Sequence, residues 1–275
     1  MKKPMKKNEH RNLQRNADRF TGAAYVNLYD TFRPSPPLEI IHQTLNYANI
    51  SHADTLVDLG CGTGISTEIW SRFSKKAIGI EPSEEMIALA NKKQSDNCSY
   101  IVGYAHAIPL PSASVDIVTC SQSFHWMEPQ STLNEIDRIL KNNGVLVIYD
   151  VIWPPSVNIE LEKSYTLLFE NVSRLTHQLK ETIAHKWNKQ GHFSTIKNSG
   201  YFNFLKESYY HKTETFDKEQ FIGIALSQGG LEALLKRGFS EEDIGISKFK
   251  NEVARCHMLP YNEITYNYKV IFAVK

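Results

Sequence analysis

The stretch LVDLGCGTG, residues 56–64, places three glycines within five positions directly behind a short apolar run. A buried strand that runs into a glycine-rich turn is typical of α/β folds that bind nucleotides. The glycines are Gly60, Gly62 and Gly64, and Ile65 stands where the dinucleotide fingerprint G-x-G-x-x-G has its third glycine. The turn also lacks the Gly-Lys-Ser/Thr ending of a phosphate-binding loop. We therefore expect a ligand that approaches the backbone closely and brings no phosphate to this turn.

Two acidic residues accompany the turn. Asp58 lies two residues before the first glycine, and Glu81 ends the next predicted strand. A carboxylate at the first position would repel a pyrophosphate and attract a cationic amine. A carboxylate at the second position is placed to bind two ribose hydroxyls. A ribose, a cationic end and no phosphate describe S-adenosylmethionine (SAM); the alternative is a plain tight turn with an exposed Asp.

Predicted strands and helices alternate from residue 56 to residue 152, with short turns between them. This alternation predicts an α/β fold, a doubly wound and mostly parallel sheet with helices on both faces. Ligands of such sheets bind beyond the carboxyl ends of the strands. The candidate site loops are therefore 58–64, 81–82, 104–111, 121–127 and 150–155.

The alternation stops after Trp153. Helices are predicted over 158–190 and 217–257, with a strand at 202–211 between them and a last strand at 264–275. The NNG stretch at 142–144 is predicted to end the helix before the fifth strand. We divide the chain into a disordered basic tail (1–19), a ligand-binding core with an N-terminal lid (20–152), a helical cap with one strand that selects the second substrate (153–257) and the final strand of the core sheet (258–275).

The composition excludes several classes of function. Lys and Arg number 31 and Asp and Glu number 30, so a globally basic nucleic-acid binder is not indicated. Neither a signal peptide nor an apolar run long enough to span a membrane is recognisable. The four cysteines lie far apart, which favours a reduced, cytoplasmic chain. No spacing of histidines and cysteines matches a zinc site, so we expect no metal.

The order of the motifs resembles a known family. VDLGCGTG (57–64), GIEPSEEMIALA (79–90) and the run from Val102 to Asp150 are similar in order and spacing to the class I, Rossmann-like SAM-dependent methyltransferases. Within them the chain looks most like the small-molecule group that includes trans-aconitate methyltransferase. The resemblance covers about residues 20–152 and the final strand. It implies a seven-stranded sheet whose last strand is antiparallel, SAM as the methyl donor and S-adenosylhomocysteine as the product.

The resemblance also implies a cofactor site built from the glycine turn and the ends of the second, third and fourth strands. The residues implied are Asp58, Gly60, Cys61, Gly62, Thr63 and Gly64 for the methionine part, Glu81 for the ribose, Pro82, Met86, Ala105 and His106 for the adenine, and Ser121 and Gln122 for the sulfonium end. The family often has an Asp where Tyr104 stands and an acid where His106 stands. Adenine recognition here must then depend on backbone groups, stacking or His106.

The segment YDTFRP, residues 29–34, resembles the segment that precedes the core in this group. Tyr25, Tyr29 and Arg33 are therefore implied to close over SAM, with Arg33 near its carboxylate. The alternative is that these aromatic residues simply pack the N-terminal helix.

SFHWM, residues 123–127, follows the fourth predicted strand and so lies at the mouth of the expected site. His125 is the candidate catalytic residue, either as a general base or as a hydrogen-bonding wall for the methyl acceptor. Packing behind the loop is the third interpretation of this histidine. Trp126 and Trp153 lie in loops that follow strands, which favours the acceptor pocket over ordinary core positions.

The function predicted is methyl transfer from SAM to a small-molecule acceptor, such as a carboxylate, by in-line displacement. A nicotinamide-dependent Rossmann reductase and a non-catalytic SAM-binding protein are the alternatives. We expect a monomer or homodimer that binds neither nucleic acid nor membrane.

Overall fold

The computed structural model describes residues 7–93, 95–179, 185–257 and 262–275. The strands are β1 (Ala53–Leu59), β2 (Ser74–Glu81), β3 (Cys98–Val102), β4 (Val115–Ser121), β5 (Leu140–Ser156), β6 (Phe204–Thr215) and β7 (Glu263–Val274). The α-helices are α1 (Lys7–Asp18), α2 (Ala23–Phe32), α3 (Leu38–Ala48), α4 (Ile65–Ser71), α5 (Glu84–Lys93), α6 (Pro129–Ile139), α7 (Ile159–Gln178), α8 (His192–Ser199), α9 (Lys218–Leu226), α10 (Gly229–Leu235), α11 (Glu241–Ile244) and α12 (Ile246–Arg255). Short 3₁₀ turns lie at Phe124–Trp126 and Lys189–Gly191.

All seven strands form one sheet, in the order β3-β2-β1-β4-β5-β7-β6. Strands β1 to β5 pair in parallel, and β7 is antiparallel to both of its neighbours, β5 and β6. The predicted seven-stranded α/β sheet with an antiparallel last strand is confirmed. The strand order reverses between β1 and β4, and the crevice at such a reversal is where open α/β sheets bind ligands.

Both faces of the sheet are covered by apolar layers. Successive residues of β1 point to opposite faces: Leu56 belongs to one buried cluster and Val57 to the other. The first cluster contains Trp70 of α4 and Phe221 of α9, and the second contains Leu133 of α6. The cap helices thus share a core with the sheet, and β6 extends the sheet itself.

No helix within the described residues is both long enough and apolar enough to cross a membrane.

The predicted disordered tail at 1–19 is wrong over residues 7–18, which form α1. The Asn16 side chain donates to the carbonyls of Trp126 and His185 at 2.9 and 2.8 Å, and it accepts from the His185 amide at 2.9 Å. These bonds, with buried Leu13 and Ala17, hold the helix on the core. Residues 1–6 lie outside the described part of the chain.

Two further boundaries differ from the prediction. The NNG stretch does not end α6, because that helix stops at Ile139 and residues 142–144 lie inside β5; Asn143 and Gly144 bond to Lys275 there. The predicted helix 158–190 ends at Gln178. Residues 185–188 cannot continue it, since the amides of His185 and Trp187 bond instead to Asn16 and to the His125 carbonyl. Residues 180–184 of that prediction lie outside the described ranges.

Candidate active site

The glycine turn connects β1 to α4 at the reversal point of the sheet. Gly60, Gly62 and Gly64 all have positive φ, at 68°, 55° and 83°. A Cβ on Gly64 would clash with the Tyr100 hydroxyl, so packing as well as backbone conformation requires glycine there. A Cβ on Gly62 would meet nothing closer than the Tyr29 ring at 3.8 Å, because Gly62 faces an open cavity. The turn thus exposes backbone to a ligand at its middle glycine.

Glu81 ends β2 beside this turn. Its carboxylate accepts from the Gly62 amide at 3.2 Å and from the Ser83 amide at 3.0 Å. Burial raises the pKa of Glu81 to about 7, and these two amide bonds oppose the rise. The carboxylate lines the cavity, as the ribose-binding prediction requires.

Asp58 lies behind the turn and lines none of the three cavities around it. It is fully buried and accepts from the Thr67 hydroxyl at 2.7 Å, while its Oδ1 has no hydrogen-bond partner. Burial raises the pKa of Asp58 to about 7, and the charge of Glu81 contributes to the rise. The carboxyl group therefore ionises near neutral pH beneath the turn, and it does not reach the walls of the three cavities.

The first cavity contains about 750 Å³ of empty space above the carboxyl ends of β1, β2 and β4. Its walls include ten of the predicted cofactor residues and four residues of the N-terminal segment that sequence reasoning missed. The predicted residues are Tyr29, Gly60, Gly62, Pro82, Met86, Ala105, His106, Ser121 and Gln122, together with Glu81, and the missed ones are Leu13, Asn16, Ala17 and Phe20. The spacing of Leu13, Ala17 and Phe20 is a helical one, and this signal was available in the sequence.

The second cavity, of about 350 Å³, continues from the first past the glycine turn. Cys61, Thr63 and Arg33 line it, as do Tyr29 and Gln122. Two buried polar atoms here have no hydrogen-bond partner, the Thr63 hydroxyl and the Arg33 Nε. Buried polar atoms are rarely left unpaired, so this cavity is suited to a small, strongly polar group.

The third cavity, of about 590 Å³, lies on the other side of Tyr29 and Gln122. Its charged lining is entirely cationic, and consists of Arg19, Arg33, Lys186 and Lys189. Lys189 pairs with Asp150 at 2.6 Å. The other three have no carboxylate within ion-pair distance among the described residues.

The cations without carboxylate partners lie over aromatic rings. Arg19 and Lys186 lie over Trp126 at 5.1 and 4.9 Å from the ring centre, and Arg33 lies 5.5 Å from the centre of the Trp153 ring. Burial lowers the pKa of Lys186 to about 8, with neighbouring positive charges adding to the effect. A cavity with this potential attracts an anion.

His125 lines the third cavity and is 5% exposed. Its Nδ1 lies 3.5 Å from Asp150 Oδ1, which is longer than a good hydrogen bond. Burial lowers the pKa of His125 to about 4, although the Asp150 carboxylate opposes the shift. The imidazole is therefore neutral at pH 7 in this structure.

The remaining predicted site residues do not all lie in the same cavity. Trp126 lines the first and third cavities, and Trp153 lines the third but neither of the other two. Gly64 and Tyr25 line none of the three. The Tyr25 hydroxyl donates to the Ser227 carbonyl at 3.1 Å, so this residue packs α2 against the cap. Tyr104, the departure from the family pattern, donates to the Gln14 side chain at 3.0 Å and lines the first cavity.

Comparison with known proteins finds similarity over part of this chain. Residues 57–148 match the family described as "Methyltransferase domain". An uncharacterized methyltransferase of Schizosaccharomyces pombe is 36% identical over 121 residues, which are 44% of this chain and 48% of that protein. A Saccharomyces cerevisiae protein, named a probable S-adenosylmethionine-dependent methyltransferase, is 27% identical over 136 residues, or 47% of this chain and 46% of that one. The chain thus spans about half the length of these relatives.

Solved structures show the same fold over a longer stretch. An Anaeromyxobacter dehalogenans protein, whose assignment as a type II methyltransferase is itself provisional, aligns with a TM-score of 0.63 over 88% of this chain and 97% of its own. The sequence identity is 18%, so this likeness concerns the fold alone. Residues 57–148 are therefore similar to the methyltransferase domain, and most of the chain adopts a Rossmann-like fold that solved methyltransferases share.

Proposed function

We propose that this chain transfers a methyl group from SAM to a small anionic acceptor, and that the acceptor atom is a carboxylate oxygen. The observation that carries the proposal is the meeting of three cavities at Tyr29 and Gln122, with cations lining only the second and third. The first cavity suits an adenosine, the second an amino-acid end and the third the acceptor.

The residues present fit SAM on several counts. Glu81 offers a buried carboxylate to ribose hydroxyls, and Met86 with Phe20 offers apolar surface to an adenine. Arg33 and the Thr63 hydroxyl offer unpaired donors in the second cavity, which suits the methionine carboxylate. Similarity to the methyltransferase domain over 57–148 supports the same donor.

The sulfonium of SAM supplies a methyl group that is already electrophilic. In the transfer, the acceptor oxygen forms a bond to the methyl carbon while the carbon–sulfur bond breaks. Sulfur keeps the electron pair, and the products are a methyl ester and S-adenosylhomocysteine. A carboxylate is ionised at neutral pH, so no proton has to be removed and no base is needed.

The contribution of the protein is then alignment and exclusion of water. Holding two reactants in line can contribute about 7–11 kcal/mol. Tyr29 and Gln122 form the wall at which donor and acceptor would meet. Gln122 has a positive φ of 52°, and its amide donates to the Tyr149 carbonyl at 2.8 Å, so a strained backbone is fixed by the sheet at this point. His125 contacts the acceptor on this proposal and does not act as the base.

Turnover of methyl-labelled SAM with separate panels of carboxylic acids, phenols and amines tests the proposal. We expect label in base-labile esters of the carboxylic acids. Label in phenols or amines alone would contradict the choice of acceptor and leave the donor intact. No transfer to any panel, with SAM bound, would contradict methyl transfer to a small molecule.

A further inference from the structure

Three buried side chains come together beside the third cavity, which His125 lines. His125 follows β4, Asp150 lies on β5 and His192 begins α8. They are 5%, 8% and 3% exposed, and one potential ligand atom from each lies within 4.8 Å of the other two. The two histidines are 67 positions apart in the chain, so no local spacing motif announces the cluster.

The geometry within this cluster differs from that of a hydrogen-bonded network. Two histidine nitrogens are buried without any hydrogen-bond partner, Nδ1 of His125 and Nε2 of His192. The 3.5 Å between His125 Nδ1 and Asp150 Oδ1 is long for a hydrogen bond. Two ligands held about 2.0–2.1 Å from one tetrahedral ion are about 3.3–3.4 Å apart. The contact therefore has the separation expected for two ligands of a shared metal ion.

We propose that His125, Asp150 and His192 form a binding site for a first-row divalent transition metal of the Zn²⁺ or Co²⁺ type. Two imidazole nitrogens and one carboxylate oxygen favour these ions over Mg²⁺ or Ca²⁺, which require mostly oxygen ligands. Three protein ligands leave one position for water or for another ligand. The inference does not depend on the proposed methyl transfer, although the two share His125, because its test measures metal binding without SAM or acceptor.

Lys189 provides an internal test of the site. Its ammonium lies 2.6 Å from Asp150 Oδ1, where it occupies the oxygen nearest to His125. An ammonium is a competing cation, so it weakens metal binding to the same carboxylate. Replacing it with a neutral side chain of similar length should therefore strengthen metal binding.

The experiment uses the untagged 275-residue chain after treatment with a chelator. Co²⁺ is titrated alone, with visible absorption as the readout, and Zn²⁺ is used to displace it. The variants are His192→Ala, Lys189→Met and, as a matched control, His177→Ala, whose histidine is exposed on α7. Thermal unfolding of each variant without metal establishes that it is folded.

We expect one Co²⁺ per chain, displaced by Zn²⁺. Since removing even an outer partner of a metal ligand weakens binding about 10–100-fold, His192→Ala should weaken it at least about tenfold. His177→Ala should bind like the wild type, and Lys189→Met should bind several-fold more tightly. Absence of saturable binding in both the wild type and Lys189→Met would overturn the site in favour of a buried water. Equal affinities of Lys189→Met and the wild type, or of His192→Ala and His177→Ala, would also overturn it.

Discussion

Tyr29 and Gln122 are the two residues that line all three cavities of the candidate active site. Tyr29 comes from α2, before the core sheet, and Gln122 comes from the loop after β4. The N-terminal segment therefore completes a site whose other walls belong to the sheet. On the proposed function, donor and acceptor meet at this shared wall, so substitutions on either side of it should separate binding of the methyl donor from binding of the acceptor.

Replacement of Tyr29 should affect both substrates. Burial of an aromatic ring contributes about 1.5–3 kcal/mol, so Tyr29→Ala should weaken SAM binding about ten- to hundredfold and also raise the KM of the acceptor. Tyr29→Phe keeps the ring, so it should retain most of the SAM affinity and a KM for the acceptor close to that of the wild type. Calorimetry and steady-state kinetics measure the two effects. The control is Tyr209→Ala, which removes a ring that is 57% exposed; an effect of Tyr29→Ala on only one substrate would contradict the shared wall.

Glu81 should make SAM binding depend on pH. Its pKa of about 7 in the folded protein lies above the unperturbed value near 4.3. A bound ribose and a nearby positive charge favour the ionised carboxylate, so SAM binding should strengthen from pH 6 to pH 8 and release protons near pH 7. Glu81→Gln should weaken binding about tenfold at pH 8 and reduce this pH dependence. Glu84→Gln, on the exposed first turn of α5, is the control.

The same carboxyl group has a consequence for stability without ligand. Between about pH 4 and pH 7 the folded protein keeps the Glu81 proton, whereas the unfolded chain has lost it. The folded state then binds more protons, so the contribution of Glu81 to the free energy of unfolding falls as pH rises through this window. At pH 8, Glu81→Gln should raise the melting temperature of the ligand-free protein. A lower melting temperature would show that the carboxylate stabilises the fold.

Replacement of Lys186 should affect binding of the acceptor alone. It lines the third cavity and not the first or second, and it has no carboxylate partner among the described residues. A hydrogen bond to a charged group contributes about 1.5–3 kcal/mol, so Lys186→Gln should raise the KM of an anionic acceptor about ten- to hundredfold. The dissociation constant of SAM should not change. Lys197→Gln, on the exposed part of α8, is the matched control; an unchanged KM in Lys186→Gln would remove this lysine from acceptor binding.

Replacement of Asn16 should weaken SAM binding, because this residue holds α1 at the first cavity. Its side chain makes three hydrogen bonds, to Trp126 and to both backbone groups of His185. Asn16→Ala leaves these groups unpaired at about 1–3 kcal/mol each, which should release α1 and weaken SAM binding severalfold. Arg15→Ala, on the exposed face of the same helix, should bind SAM like the wild type. Equal affinities in both variants would show that α1 does not form part of the binding site.

The sequence was sufficient to predict the sheet, because the alternation of apolar strands and helices is local and strong. It also predicted that Glu81 and the glycine turn lie at one cavity, since the position of a residue at the end of a parallel strand follows from the topology. Asp58 shows the limit of that argument. Strand position predicted proximity to the turn, but only the side-chain packing shows that this carboxylate points behind it toward Thr67.

The third cavity could not be predicted in the same way. Arg19, Lys186 and Gly229 come from three distant parts of the chain. Each of the two charged residues, taken alone, resembles a solvated surface residue. The first helix was missed for a related reason. The lysines of the first seven residues indicated a solvated tail, but Leu13 and Ala17 carry a short apolar stripe that tertiary contacts stabilise.

The most direct test of the whole account is equilibrium binding of SAM, S-adenosylhomocysteine and NADH to the purified 275-residue chain, measured by calorimetry. We expect one molecule of SAM or S-adenosylhomocysteine to bind per chain, because the first two cavities provide a ribose-binding carboxylate and donors for a methionine end. We expect no binding of NADH, because the turn that would hold its pyrophosphate contains no cation and lies above the buried Asp58. Saturable binding of NADH, with no heat from either SAM or S-adenosylhomocysteine, would contradict the central claim.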